Sequence, residues 1–261
     1  MVGKLVELKR EIDINDLKDY ILRNRFNSPI LFIEKSNSID DLVVEIASEV
    51  NMEIFQYGNK NYIEMRDVKF EAELHFDGIT SPSVNRIPDI VIFEFPENPK
   101  SLSSNDFFYL VDGVRLAELL SYETKDFLLR NKLAIKSMQN KIRDDWEDNF
   151  EITLLNRDSS EEKVLGHIPT MDLSKLSVND GWLCSSCEGV AFKFVNCTIE
   201  KTISVFFELH DLIKSNRDVV FRFVPQNGNL VVIDNKRIMH GRAYGGTPYR
   251  RLMRRTQLKL A

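Results

Sequence analysis

The sequence predicts a fold that is mainly β-sheet with several helices, in the α+β class. In "VKFEAELHF", residues 68–76, apolar and polar side chains alternate with a period of two, as on a strand with one buried face. The segments at 89–95 and 106–111 are rich in aromatic and β-branched residues, which favour strands. Helical spacing occurs near the start and in two later segments between strands. This order indicates strands with inserted helices.

The length and composition suit one folded unit. The chain has 261 residues, of which 43% are apolar, and this is enough for a substantial core. Since no segment has the composition of a linker, we predict a single domain over residues 1–261.

The first third predicts helix, strand and helix. In residues 13–26 the apolar side chains recur at helical spacing. Residues 28–36, "SPILFIEKS", predict a strand. Ser38 is a candidate N-cap for a second helix over residues 38–50.

Strands dominate the rest of the chain. Helices are predicted over 113–133 and 198–214, where apolar residues again follow a helical period. The polar segments 80–88 and 156–181 are predicted to be long loops, and loops of that length are candidate lids. Further strands are predicted at 150–157, 182–195, 219–224, 229–234 and 251–260.

Composition excludes several classes of protein. The net charge of −5 gives no general attraction to nucleic acid or to a membrane surface. The charged N-terminus lacks a secretory signal, and no apolar run approaches a membrane span, so we expect a soluble, cytoplasmic protein. Cys184, Cys187 and Cys197 are an odd number of cysteines, which argues against a disulfide framework, and we interpret them as ordinary thiols.

Two distant stretches carry the candidate chemistry. His75 and Asp77 lie two apart on a predicted strand, so they share a face, and His240 follows the strong strand 229–234. Two histidines and one carboxylate form the facial triad of non-haem Fe(II) oxygenases, which leaves three coordination positions open. Each motif alone also fits an ordinary strand or loop histidine.

A cluster of arginines follows His240. If the even positions of the last strand face inward with Leu252 and Leu258, then Arg250 and Arg254 also face inward, whereas Arg251 and Arg255 face out. Buried guanidinium groups need anions and suit carboxylates. A shift of one residue would exchange the two pairs. The cluster also fits a solvated basic face that binds phosphate or nucleic acid.

The motifs "ELHFDG" and "GNLVVIDNKRIMHGRAYGG", followed by "YRRLMRR", resemble the Fe(II)/2-oxoglutarate-dependent oxygenases of the taurine dioxygenase and clavaminate synthase-like group. The resemblance implies His75, Asp77 and His240 as iron ligands and Arg250 as the clamp on the far carboxylate of 2-oxoglutarate. It also implies Arg254 beside the substrate or co-substrate, O2 as the oxidant, and a double-stranded β-helix (jelly roll) with flanking helices.

Two details of the resemblance bear on chemistry. The family often places a threonine four residues before an aspartate that opens a helix, but counting back from Asp112 gives Phe108, and Ser103 or Ser104 would serve only after a gap. The family's halogenases lack the carboxylate that Asp77 supplies, so the resemblance implies oxygen insertion or desaturation.

The sequence therefore predicts an enzyme that oxidises a C–H bond, most simply by hydroxylation, with 2-oxoglutarate converted to succinate and CO2. The predicted substrate is a small anionic or zwitterionic molecule such as an amino acid or a natural-product intermediate, because Arg254 is a second inward cation. We expect no nucleic-acid or membrane partner. Two alternatives stay open: a cupin-type metal enzyme that does not use 2-oxoglutarate, and a non-enzymatic module that binds anions or nucleic acid.

Overall fold

A computed structural model of the chain gives the positions of its strands and helices. It describes residues 4–23, 25, 27–35, 40–57, 59–66, 72–78, 87–97, 107–137, 149–157, 161–169, 176–185, 190–242 and 252–260. The helices are α1 (Ile14–Leu22), α2 (Asp40–Glu49), α3 (Gly113–Leu119), α4 (Tyr122–Arg130) and α5 (Ile199–Ser215). The first strands are β1 (Val6–Lys9), β2 (Ile30–Ile33), β3 (Met52–Ile54), β4 (Ile63–Arg66), β5 (Ala72–His75), β6 (Ile90–Glu97), β7 (Phe108–Asp112), β8 (Leu133–Ser137), β9 (Asn149–Ile152) and β10 (Leu155–Arg157). The later strands are β11 (Glu162–Val164), β12 (His167–Ile168), β13 (Leu176–Asn179), β14 (Trp182–Ser185), β15 (Val190–Phe194), β16 (Val220–Phe223), β17 (Asn229–Asp234), β18 (Ile238–Arg242) and β19 (Leu252–Leu260).

The main sheet is buried on both faces. Its strands run in the order β1-β2-β17-β6-β19-β3, with β4 also paired to β19. On one face, Ile92 and Leu230 pack against α1 and α2 through Leu17 and Ile46. Every residue of β17 is buried, because helices cover one face and a second sheet covers the other. This explains the continuous apolar run "LVVI".

A smaller sheet packs against the other face of the main sheet. Its order is β12-β5-β18-β7-β16. Phe93 and Val231 of the main sheet share one buried cluster with Phe108, Leu110 and Ile238 of the smaller sheet. The two sheets therefore enclose a mainly apolar interior.

A third layer covers the outer face of the smaller sheet. Tyr109 and Met239 on that face pack in one core with Phe192 of β15 and Phe206 of α5. Strands β13-β14-β15-β8-β9 form the sheet of this layer, and β10 and β11 form a separate pair. No helix of the described residues is both long enough and apolar enough to cross a bilayer.

Several predicted elements are confirmed. Helices near 13–26, 38–50 and 198–214 are present as α1, α2 and α5, and the mainly-β class with inserted helices is also confirmed. The helix predicted over 113–133 is instead two helices, α3 and α4. The chain turns at Leu120 (φ −61°, ψ 140°), and the Ser121 hydroxyl then accepts a hydrogen bond from the Thr124 amide, which caps α4.

The prediction of one long loop over 156–181 is wrong. The segment contains β11, β12 and β13, each held by antiparallel pairing to a neighbouring strand. These strands are too short to show a clear period in the sequence. The basis for interpreting the whole segment as a lid is therefore lost, and residues 80–86 of the other predicted loop lie outside the described part of the chain.

Candidate metal centre

The structure brings His75, Asp77 and His240 together. One ligand atom from each of the three residues lies within 4.8 Å of the others, and this is the group of possible metal ligands found among the described residues. Asp77 Oδ1 lies 4.0 Å from His75 Nε2 and 3.5 Å from His240 Nε2. The two rings lie 4.5 Å apart, centroid to centroid.

Strand pairing explains the proximity of the two histidines. His75 on β5 and His240 on β18 are directly opposite each other in an antiparallel pair, so their side chains share a face. The sequence placed His240 at the end of the strand 229–234, but β17 ends at Asp234. A tight turn follows, in which Asp234 O accepts a hydrogen bond from the Arg237 amide at 3.1 Å. His240 therefore lies inside a strand of its own.

Asn235 in that turn holds the backbone of Asp77. Its side-chain oxygen accepts a hydrogen bond from the Asp77 amide at 2.9 Å, and its Nδ2 donates to Asp77 O at 3.0 Å and to Pro88 O at 2.9 Å. Gly78 then has a φ of +87°, a conformation that glycine adopts without strain. The "HFDG" turn and the "DN" turn thus fix each other across 158 residues of sequence.

The Asp77 carboxylate is buried and strongly bound. Arg255 Nη1 donates to Asp77 Oδ1 at 2.6 Å, and Gln257 Nε2 donates to Oδ2 at 2.5 Å. Burial alone would raise the pKa of Asp77, but the charge of Arg255 and the hydrogen bond with His240 outweigh it and hold this pKa well below its usual range. The carboxylate is therefore ionised, as a metal ligand must be.

The predicted facing of Arg254 and Arg255 is wrong. Arg255 faces the Asp77 carboxylate, whereas Arg254 lies 3.6 Å from Glu94 Oε2 and covers the Tyr62 ring at 4.8 Å. Arg254 is on the face of β19 that carries Leu258, which packs in the cluster under α1 and α2. Both faces of this sheet are buried, so an apolar residue at an even position does not mark the face of the metal centre. Leu258 marks the face beneath the helices instead. Arg250 and Arg251 lie outside the described residues.

A further histidine lies beside the centre. His167 on β12 is the direct cross-strand partner of His75, and the two ring centroids are 5.7 Å apart. The His167 side chain is buried and meets the edge of the Phe192 ring. His167 gave no signal in the sequence, because it lies in the segment predicted to be a loop. The chain has only four histidines, and three of them meet here.

Phe108 occupies the position at which the family often has a threonine. It is buried between the two sheets and stacks on Phe223, and it has no hydroxyl to donate to 2-oxoglutarate. Asp112 caps α3 as the pattern predicts and accepts hydrogen bonds from two guanidinium nitrogens of Arg237, at 3.0 and 2.7 Å. Ser103 and Ser104 lie outside the described residues.

The three side chains fit Fe(II). Two imidazoles and one ionised carboxylate are a donor set that non-haem iron enzymes use. His240 is buried, its ring packs on Phe93 at 4.9 Å, and its Nδ1 has no hydrogen-bond partner among the described residues. The Arg255 guanidinium lies against the Asp77 carboxylate and stabilises its negative charge.

A protein-family model matches most of the chain. The model of the taurine catabolism dioxygenase TauD, TfdA family matches residues 43–257 of the chain. No curated protein sequence matches the chain at a significant level.

Solved structures share the fold across almost the whole chain. PvcB from Pseudomonas aeruginosa superposes with a TM-score of 0.70 at 12% identity, over 99% of this chain and 87% of PvcB. A taurine dioxygenase from Burkholderia xenovorans gives 0.65 at 12% identity, over 98% and 88%. AAD-2, solved with Mn(II) and N-oxalylglycine, gives 0.66 at 11% identity, over 100% and 96%.

The family match also decides among the functions that the sequence left open. A metal enzyme that does not use 2-oxoglutarate and a non-enzymatic binding module are both set aside. The chain belongs to the TauD/TfdA family, and it is an Fe(II)- and 2-oxoglutarate-dependent dioxygenase that uses O2.

Proposed function

We propose that the enzyme hydroxylates a C–H bond of a small anionic or zwitterionic molecule, such as an amino acid or a natural-product intermediate. One atom of O2 enters the substrate as a hydroxyl group, and the other enters succinate as 2-oxoglutarate loses CO2. The observation that carries the proposal is Arg255, a cation only 12% exposed that lies beside the carboxylate of Asp77.

We assign iron binding to His75, Asp77 and His240, within a single domain whose two facing sheets form the double-stranded β-helix. When bound there, Fe(II) supplies the site at which O2 is activated by oxidative decarboxylation of 2-oxoglutarate. Asp77 supplies a carboxylate that stays ionised, because the charge of Arg255 offsets the effect of burial on its pKa. Phe93 packs against the His240 ring and keeps that side of the centre apolar.

The charges of the site favour an anionic substrate. Fe(II) brings two positive charges, and Arg255 and one more arginine at position 250 or 251 bring one each. Asp77 opposes one of these charges and 2-oxoglutarate opposes two. One positive charge remains, and in a buried site an uncompensated charge is costly, so it favours a bound anion.

The arginine that holds the far carboxylate of 2-oxoglutarate belongs to the pair Arg250 and Arg251. The sequence favours Arg250. The facing of Arg254 and Arg255 does not extend to this pair, because the pairing of β19 with β6 shifts register between Leu252 and Arg254. Comparing Arg250→Ala with Arg251→Ala decides between them.

The first experiment is an anaerobic titration of the protein with Fe(II) and 2-oxoglutarate, followed by the weak visible charge-transfer band of the chelate. We expect the band in the wild type and its loss in His240→Ala. Of the two arginine variants, the one that lacks the clamp requires more 2-oxoglutarate to reach the same band. Metal binding without a band would contradict the assignment of the 2-oxoglutarate site.

The substrate class is tested by succinate formation across amino acids, sulfonates and aryloxy acids, with neutral apolar compounds as the matched set. Stimulation by anionic or zwitterionic compounds supports the proposal. Turnover restricted to neutral apolar compounds would refute the charge argument.

A further inference from the structure

The second oxygen of Asp77 is held by a hydrogen-bonded pair that leads to the surface. Gln257 Nε2 donates to Asp77 Oδ2 at 2.5 Å, and the hydroxyl of Tyr57 donates to Gln257 Oε1. Gln257 is buried and Tyr57 is half-buried. Neither residue belongs to a motif that the sequence analysis singled out.

The Gln257 amide presents its donor end to Asp77 and its acceptor end to Tyr57. A carboxamide has a donor end and an acceptor end, and an ionised carboxylate only accepts. A hydroxyl that donates to Oε1 leaves Nε2 directed at Oδ2. The backbone fixes the distance between the two residues, since the Phe55 amide donates to Gln257 O at 3.0 Å and Ile54 pairs with Leu258.

The two carboxylate oxygens therefore have separate tasks. Oδ1 lies nearest the Nε2 atoms of His75 and His240, at 4.0 and 3.5 Å. Oδ2 is engaged by Gln257. Oδ1 also accepts a hydrogen bond, from Arg255 at 2.6 Å, but it is the oxygen nearest the two histidines, and a carboxylate oxygen keeps a second lone pair for a metal. A facial triad with one oxygen donor leaves three positions open, two for 2-oxoglutarate and one for O2.

We propose that Gln257 and Tyr57 are positioning residues that make Asp77 a one-oxygen metal ligand, with Tyr57 acting on Asp77 through Gln257. The inference rests on the proposed assignment of Asp77 as an iron ligand. Outer partners of this kind orient metal ligands, and their loss typically lowers metal affinity about 10- to 100-fold. Loss of the donor also makes the Asp77 carboxylate more basic, and this change by itself would raise the metal affinity.

The test is an anaerobic titration of the metal-free protein with Co(II), followed by its visible absorption, which reports both affinity and coordination. The variants are Gln257→Met, Tyr57→Phe and the double variant. Tyr62→Phe is the matched control, because Tyr62 lies under Arg254 on the other face of β19. Thermal unfolding of each metal-free variant separates loss of stability from loss of positioning.

We expect Gln257→Met to weaken Co(II) binding by about 10- to 100-fold and to change the absorption spectrum. Tyr57→Phe should have a smaller effect of the same sign. In the Gln257→Met background it should have none, since a residue that acts through another is not additive with it. Tyr62→Phe should match the wild type.

Co(II) affinity that is unchanged or higher in Gln257→Met would overturn the proposal, as would a full Tyr57→Phe effect in the double variant. If Gln257→Met fails to fold, the isosteric Tyr57→Phe still decides, because unchanged affinity and spectrum in that variant would also overturn it. Failure of the metal site itself is a separate result: neither the wild type nor His240→Ala would then show saturable Co(II) binding.

Discussion

Replacing Asn235 with alanine should damage the protein more than any ordinary polar-to-alanine change. Asn235 is fully buried and makes three hydrogen bonds, two with the backbone of Asp77 and one with Pro88 O. The variant would leave one amide and two carbonyl groups without these partners. At about 1 to 1.5 kcal/mol for each net hydrogen bond, the free energy of unfolding should fall by about 3 to 5 kcal/mol.

The same change should also weaken metal binding. Without Asn235 the turn at Asp77 is no longer tied to the turn before β18, so the carboxylate loses its fixed position relative to His240. We expect Co(II) affinity to fall about tenfold or more. The matched control is Asn216→Ala, because the Asn216 side chain donates a hydrogen bond to Leu212 O at 2.8 Å at the end of α5 and does not contact Asp77.

Urea unfolding of the metal-free protein measures the first effect, and Co(II) titration measures the second. Asn216→Ala should cost about 0.5 to 1.5 kcal/mol and leave Co(II) binding unchanged. If Asn235→Ala is no less stable than Asn216→Ala, the three hydrogen bonds do not stabilise the fold. If it is less stable but binds Co(II) normally, the tie between the two turns does not position Asp77.

Two further predictions concern His210 and the arginine pair. Burial lowers the pKa of His210 from 6.5 to about 4. Between these pH values the unfolded chain binds a proton that the folded protein does not, so the free energy of unfolding falls as the pH drops from 6.5 toward 4. His210→Gln keeps a donor for Pro169 O. In this variant the free energy of unfolding should fall by about 2 kcal/mol less between pH 7 and pH 5 than in the wild type, as measured by urea unfolding at both pH values. An equal fall in both proteins would contradict a buried neutral His210. Arg255→Ala should weaken 2-oxoglutarate binding at least tenfold by charge-transfer titration, whereas Arg254→Ala, which removes the ion pair with the buried Glu94, should mainly lower the unfolding temperature. The opposite pattern would reverse the assigned faces of β19.

Local patterns predicted much of the architecture. The amphipathic periods of α1, α2 and α5 follow from the apolar stripe that each helix must bury. The "HFDG" motif predicted a shared face for His75 and Asp77, and the structure brings both together with His240. These features were accessible because each depends on residues close in sequence.

Contacts between distant residues decided the rest. Asn235 and Gln257 each donate a hydrogen bond to Asp77 or accept one from it across more than 150 residues of sequence, and no local pattern predicts either contact. His167 reaches the centre because β12 adds to the edge of the smaller sheet beside β5. Two residues of strand are too few to reveal a period.

The sequence by itself determined that the last strand carries adjacent arginines, which point to opposite faces, and it predicted that one face meets an anion. Only the tertiary structure decided that Arg255, and not Arg254, lies at Asp77. A period of two separates the faces of a strand but does not identify them, since the main sheet is buried under helices on one side and under a second sheet on the other. When both faces are buried, hydrophobicity cannot mark the face that carries the chemistry.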